Sequence, residues 1–282
     1  MLRTLWVSLR AILVATALRL RGGPTAPSWT WTLEWLVASY RAALVDSMSL
    51  SPARVRALAI QPPSRAARRL TIQEVELGGV RARCAHMPGG SAGRSLLYLH
   101  GGGFVIGSPL THLDLTACIA LRSEARVWSL DYRLAPERPF PAAPQDVFAA
   151  YRALLDQGVD PSQVVVAGDS AGGTLALGLL VQLQQHGLPL PAGGVLISPA
   201  PDLSLPGRSW HANAPTDWLT RELASYWIGL YAQGRDPSDP LLSPIRADLS
   251  GLPPLLLQVG SGECLRDDVV ELAGRCGARP FR

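Results

Sequence analysis

The chain has 282 residues, 48% of them hydrophobic and 17% charged, with a formal net charge of +4. That is enough apolar sequence for one large core and is compatible with a single α/β domain. All basic residues are arginine, as expected of a GC-rich coding sequence, and no basic run with interleaved aromatics points to nucleic acid as a partner.

Residues 1–21 are apolar but broken by Arg3, Arg10, Arg19 and Arg21, so no uninterrupted span reaches the ~20 residues that a bilayer requires. Arg3, Arg10 and Arg21 fall on one helical face. Three readings stand: an amphipathic helix packed on its own protein, weak membrane-surface contact through residues 1–21, or a cleaved signal without a good cleavage site. A second amphipathic helix is predicted from Ser28 to Val45, with Pro24, Pro27, Pro62 and Pro63 marking its loose ends. Strands follow at Thr71–Leu77, Val80–His86 and Ser95–Leu99, the first two joined by a Gly78-Gly79 hairpin.

Beyond these, strands and helices alternate. The pattern predicts a strand at 126–130, a helix at 146–155, a strand at 163–167 and a helix at 171–186. Strands at 193–198 and 254–259 and a helix at 266–276 complete it. Such alternation predicts an α/β fold with a mostly parallel sheet and helices on both faces. Residues 202–239, rich in Trp and Tyr and carrying a helix predicted at 217–231, read as a cap inserted over the sheet. The domain division is therefore 1–70 for N-terminal cap helices and linker, and 71–282 for the core. The four cysteines, Cys84, Cys118, Cys264 and Cys276, are widely spaced, with no Cys-x-x-Cys pair and no nearby histidine. Neither a disulfide framework nor a zinc site follows, and a reducing cytoplasm suits them.

Two motifs carry chemistry. Val164 to Ala167 is a β-branched run that ends in Gly168-Asp169-Ser170-Ala171-Gly172, followed by a helix-compatible run. A serine on a sharp strand-to-helix turn is a nucleophile elbow, and its flanking glycines leave room for the turn. Ser170 then stands at the N-terminus of a helix, where developing negative charge is favoured. The second motif, Leu97-Tyr98-Leu99-His100-Gly101-Gly102-Gly103-Phe104, ends a strand in backbone N–H groups that no Cβ shields. Acyl transfer needs such donors. No Gly-Lys-Ser/Thr ending marks it as a phosphate loop. His100 reads as an anchor of this loop. Asp131, Arg133 and Glu137 read as a buried charge network beside the elbow, and Asp169 as a hydrogen-bonding residue.

With these motifs the chain resembles the hormone-sensitive-lipase family of α/β-hydrolases, the esterases with a His-Gly-Gly-Gly loop and a Gly-Asp-Ser-Ala-Gly elbow. The segments Asp131-Tyr132-Arg133-Leu134-Ala135-Pro136-Glu137, Pro139-Phe140-Pro141, Pro240-Leu241-Leu242-Ser243-Pro244 and Leu252-Pro253-Pro254 agree, and the resemblance runs from about Thr71 to Arg275. It implies hydrolysis of short- or medium-chain carboxylic esters without metal or cofactor. It also implies that Ser170 is the nucleophile and that Gly102, Gly103 and Ala171 donate to the oxyanion. The acid of the triad falls on Glu263, two residues before Leu265, with Asp267 and Asp268 as second choices.

The triad histidine follows the acid in this fold, and no histidine follows Glu263. Of His86, His100, His112, His186 and His211, only His211, in the cap, is placed to approach Ser170. The last strand and helix of the fold are also missing, which leaves residues 255–259 as a hydrophobic sheet edge. A truncated or frame-shifted esterase of impaired activity is the first reading. A catalytically inactive homologue that binds a small apolar ligand is the alternative.

Overall fold

The computed structural model describes residues 2–58, 64–90 and 93–277; Met1, the Pro62-Pro63 pair and the tail beyond Gly277 lie outside them. The chain opens with α1 (Leu2–Gly22), α2 (Trp31–Ser47) and the short α3 (Pro52–Leu58). Thr30 is extended, and its hydroxyl accepts from Leu33 N at 3.2 Å, so α2 starts three residues later than predicted.

Strands β1 (Thr71–Leu77) and β2 (Val80–His86) form the expected hairpin, with Gly78 and Gly79 both at positive φ. A Cβ on Gly78 would lie 2.6 Å from the Ala149 carbonyl oxygen, so the turn needs glycine for space as well as for its dihedrals. Strand β3 (Ser95–Leu99), helix α4 (Leu113–Ser123), strand β4 (Arg126–Leu130) and helix α5 (Ala142–Asp156) come next. They are followed by β5 (Val164–Asp169), α6 (Ala171–Gln185) and β6 (Gly193–Ile197). After an excursion that holds α7 (Ser209–Ala212) and α8 (Arg221–Ala232), the chain returns to β7 (Leu255–Gln258) and α9 (Arg266–Arg275).

The seven strands run in the order β1-β2-β4-β3-β5-β6-β7, with the β1–β2 and β2–β4 pairs antiparallel and every other pair parallel. From β3 the chain steps outward to β4, then crosses back to β5 on the other side of β3. The order therefore reverses between β3 and β5, and ligand crevices form at such points, beyond the carboxyl ends of the strands. Leu99 pairs with Gly168, so the glycine loop and the serine turn leave the sheet side by side. Leu177, Leu179, Leu180 and Leu183 bury α6 on more than one face, each contributing about 1.5–3 kcal/mol.

Strand β7 lies at the sheet edge, and Leu256 on it is 61% exposed. The excursion helix α8 begins at Arg221, after the Thr220 cap, instead of at Asp217. The Asp217 carboxylate accepts from Leu219 N and makes a turn, and the Thr220 hydroxyl caps the helix through Leu223 N at 3.1 Å. The charges of residues 131–137 do not form one buried network. Arg81–Asp131 (3.1 Å), Arg133–Asp146 (2.7 Å) and Arg56–Glu137 (2.9 Å) are separate pairs, and Arg133 and Glu137 are exposed.

Candidate active site

The β5–α6 turn places Ser170 at φ +51°, ψ −122°, a strained conformation for a residue with a side chain. It is held by Ser170 N donating to the Ile197 carbonyl at 2.9 Å and Thr174 N donating to the Ser170 carbonyl at 3.1 Å. A Cβ on Gly172 would collide with the Leu99 carbonyl, so the elbow fits beside β3 only with glycine there. Ser170 opens into a small cavity of about 30 Å³. Gly103, Ala171, Leu205, Trp210, Leu219 and Trp227 are among its walls. Much of that wall comes from the excursion after β6.

The glycine loop turns on the Gly102 carbonyl, which accepts from Val105 N at 3.1 Å and Ile106 N at 2.9 Å. Gly102 and Gly103 have φ of +120° and +61°. A side chain on Gly103 would run into the Trp227 ring. His100 is fully buried and stacks on Tyr132 with ring centroids 4.2 Å apart. Its Nδ1 lies 2.8 Å from the Gly101 carbonyl oxygen. Burial holds the imidazole down at about 4, against a backbone hydrogen bond that acts the other way, so it stays neutral at pH 7.

Asp169 ties the two motifs together. Its Oδ1 accepts from Tyr98 OH at 2.7 Å and from Gly101 N at 2.9 Å, and its Oδ2 lies 3.5 Å from His112 Nε2. Burial acts to raise this carboxyl, but the His112 and Tyr98 interactions outweigh it and hold the group below the ordinary range.

Glu263 sits on the loop after β7. That loop is bound to the excursion by Asn213 Nδ2 donating to the Ser261 and Glu263 carbonyls, Thr216 Oγ1 donating to the Gly262 carbonyl, and Cys264 N donating to the buried Asp217 carboxylate. The Glu263 carboxylate turns back on its own loop and accepts from Gly260 N at 2.6 Å. Asp267 accepts from Ser209 N at 3.0 Å, and Asp268 accepts from Trp210 Nε1 at 2.9 Å. His211 is exposed on α7, and no histidine lines the Ser170 cavity among the described residues. Among them there is also no group of His, Cys, Asp and Glu side chains able to hold a metal ion.

Arg56 has a part in the site that the sequence did not signal. From α3 it donates through Nε to the Val105 carbonyl at 2.7 Å and through Nη2 to the Ala135 carbonyl at 2.6 Å and to Glu137. It thereby fastens the glycine loop to the 135–137 turn.

The model of a family described as having the alpha/beta hydrolase fold matches residues 96–279. An acetyl-hydrolase of Streptomyces hygroscopicus is 48% identical over 64% of this chain and 61% of its own length, so the chain spans about three fifths of that relative. A crystal structure of a mutant of the esterase E40 superposes with a TM-score of 0.82 at 40% identity, over 88% of this chain and 85% of that one. A structure of an esterase from the bacterial hormone-sensitive lipase family gives 0.74 at 39% identity, over 96% and 83%. With its serine elbow and glycine loop meeting at the β3/β5 switch point, this chain belongs to the α/β-hydrolase family, in its hormone-sensitive-lipase-like branch.

Proposed function

We propose that the chain is the catalytic part of a serine carboxylic-ester hydrolase that forms its acyl-enzyme at Ser170. The observation that carries this reading is the strained Ser170 facing a small apolar cavity that Gly103 of the glycine loop also lines. In the reaction Ser170 Oγ attacks the ester carbonyl, its proton passes to a base, and the N–H groups of Gly102, Gly103 and Ala171 receive the developing oxyanion. Collapse of the intermediate expels the alcohol and leaves acyl-Ser170, which water then cleaves. His100 anchors the loop and takes no part in proton transfer. A cavity of about 30 Å³ favours short acyl groups such as acetyl, in keeping with the relative named an acetyl-hydrolase. No metal or cofactor enters this scheme. Residues 1–70 and the 202–239 insertion act as its cap.

Glu263 is the acid of the triad in this proposal; its backbone is pinned, and its carboxylate is free to leave Gly260 N for an imidazole. None of the chain's five histidines lines the cavity. Turnover is therefore lower by roughly 10⁴- to 10⁶-fold than with a complete triad. That same observation favours the second reading, a pocket that binds a small apolar ligand without turnover. Intact-protein mass measurement after exposure to p-nitrophenyl acetate separates them. One acetyl group, absent in Ser170→Ala, supports the hydrolase; an unmodified protein supports the binding reading.

A further inference from the structure

Twelve of the sixteen exposed large hydrophobic side chains among the described residues lie on α1 and α2, which together make up a small part of the chain. On α1, Trp6, Leu9, Leu13 and Leu20 recur at helical spacing along one outer stripe, all more than half exposed. On α2, Trp31, Trp35 and Tyr40 are also exposed. Between the helices runs an apolar groove of about 580 Å³, lined by Val7, Val14, Leu18, Val37, Ala38 and Val45. The helices are held to each other by Arg19, which pairs at 3.0 Å with buried Glu34 in the groove wall, and by Trp35 Nε1, which donates to Thr16 Oγ1 at 3.0 Å. An apolar face this continuous marks an interaction surface.

The charge pattern identifies the partner. Residues 2–47 contain five arginines against two acids, and no acid occurs before Glu34. Glu34 is already paired with Arg19. Arg10 and Arg21 stay exposed between the apolar stripe and the groove, with Arg10 positioned 5.7 Å from the centre of the Trp6 ring. A second copy meeting this face about a two-fold axis would bring arginines toward arginines with no acid on α1 to receive them. A lipid surface suits it better. The apolar stripe enters the acyl region, Trp and Tyr sit at the headgroup level, and the long arginine stems reach back to anionic headgroups. No helix among the described residues is long and apolar enough to cross a membrane, so the contact is a surface one.

We infer that the α1–α2 hairpin docks the protein on the surface of an anionic bilayer, independently of whether Ser170 turns over an ester. The test is sedimentation of the full chain with vesicles of phosphatidylcholine alone and of phosphatidylcholine mixed with phosphatidylglycerol. The expected result is retention on the mixed vesicles, falling with added salt. Arg10→Gln/Arg21→Gln, which alters only exposed side chains, is expected to weaken it roughly 30-fold, with an unchanged circular dichroism spectrum. Leu9→Ser/Leu13→Ser is expected to weaken binding as well. Failure to sediment with either vesicle, equal binding to both, or a stable dimer in solution that Leu13→Ser dissociates would each overturn the inference.

Discussion

The indole of Trp210 donates to the buried carboxylate of Asp268 at 2.9 Å, so α9 holds in place one wall of the cavity over Ser170. The two residues lie 58 positions apart, and each depends on the other. Trp210 bounds the cavity that the proposed acyl group would occupy, and Asp268 fixes the ring. Trp210→Leu is expected to shift preference from acetyl toward butyryl esters, read as the ratio of kcat/KM for the two p-nitrophenyl esters. Unchanged selectivity would show that another residue limits the acyl pocket.

Asp268 also makes stability depend on pH. Burial raises its carboxyl to about 6, opposed by hydrogen bonds from Trp210 and the Gly207 backbone, while nearby Asp202 and Glu271 push it further up. The folded pKa exceeds the unfolded one, so this contribution is full below about pH 4 and is lost as pH rises through about 6. It amounts to about 3 kcal/mol over that window. Asp268→Asn is expected to flatten this part of the stability profile, measured by urea unfolding between those pH values.

Asp169 has the opposite sign. Its carboxyl is held low, so the stability it provides is present above the ordinary carboxylate range and is lost on acidification. Asp169→Ala would leave Tyr98 OH and Gly101 N without their acceptor, at a cost of about 3 kcal/mol. A thermal midpoint within error of the parent chain would show that the two motifs do not depend on this carboxylate.

Gly103 has no room for a methyl group, because a Cβ would meet the Trp227 ring at a φ of +61°. Gly103→Ala is therefore expected to displace one of the proposed oxyanion donors and lower kcat by roughly 10²- to 10³-fold. The fold should remain, as checked by circular dichroism.

Arg56→Ala releases two loop carbonyls and Glu137 from α3. A loss of about 2 kcal/mol in unfolding free energy is expected, with kcat falling more than KM rises as the glycine loop loosens. Arg56→Lys should restore little, since a single ammonium cannot reproduce the guanidinium fork.

The features legible in the sequence are local ones. The β-branched run into Gly168-Asp169-Ser170 marks a strand that turns into a helix, and Gly78-Gly79 marks a hairpin, because each signal lies within a few consecutive residues. Helix α3 escaped because seven residues are too short to show a helical period, and Arg56 escaped with it. The predicted start of α8 was early because Asp217 and Thr220 divide the roles of turn former and cap, which periodicity does not resolve. Trp210 could not be assigned to the cavity wall at all, since its position depends on a carboxylate from another helix. The charges at 131–137 are neighbours in sequence, yet their partners, Arg81, Asp146 and Arg56, come from three separate elements.

The central claim is that Ser170 is an acyl-accepting nucleophile whose imidazole partner is not among the residues around it. The most direct measurement is hydrolysis of p-nitrophenyl acetate by the chain and by Ser170→Ala, each with and without added imidazole. Slow turnover is predicted in the parent chain, with an imidazole-dependent increase beyond that shown by Ser170→Ala. Identical rates for the two proteins under both conditions would contradict it.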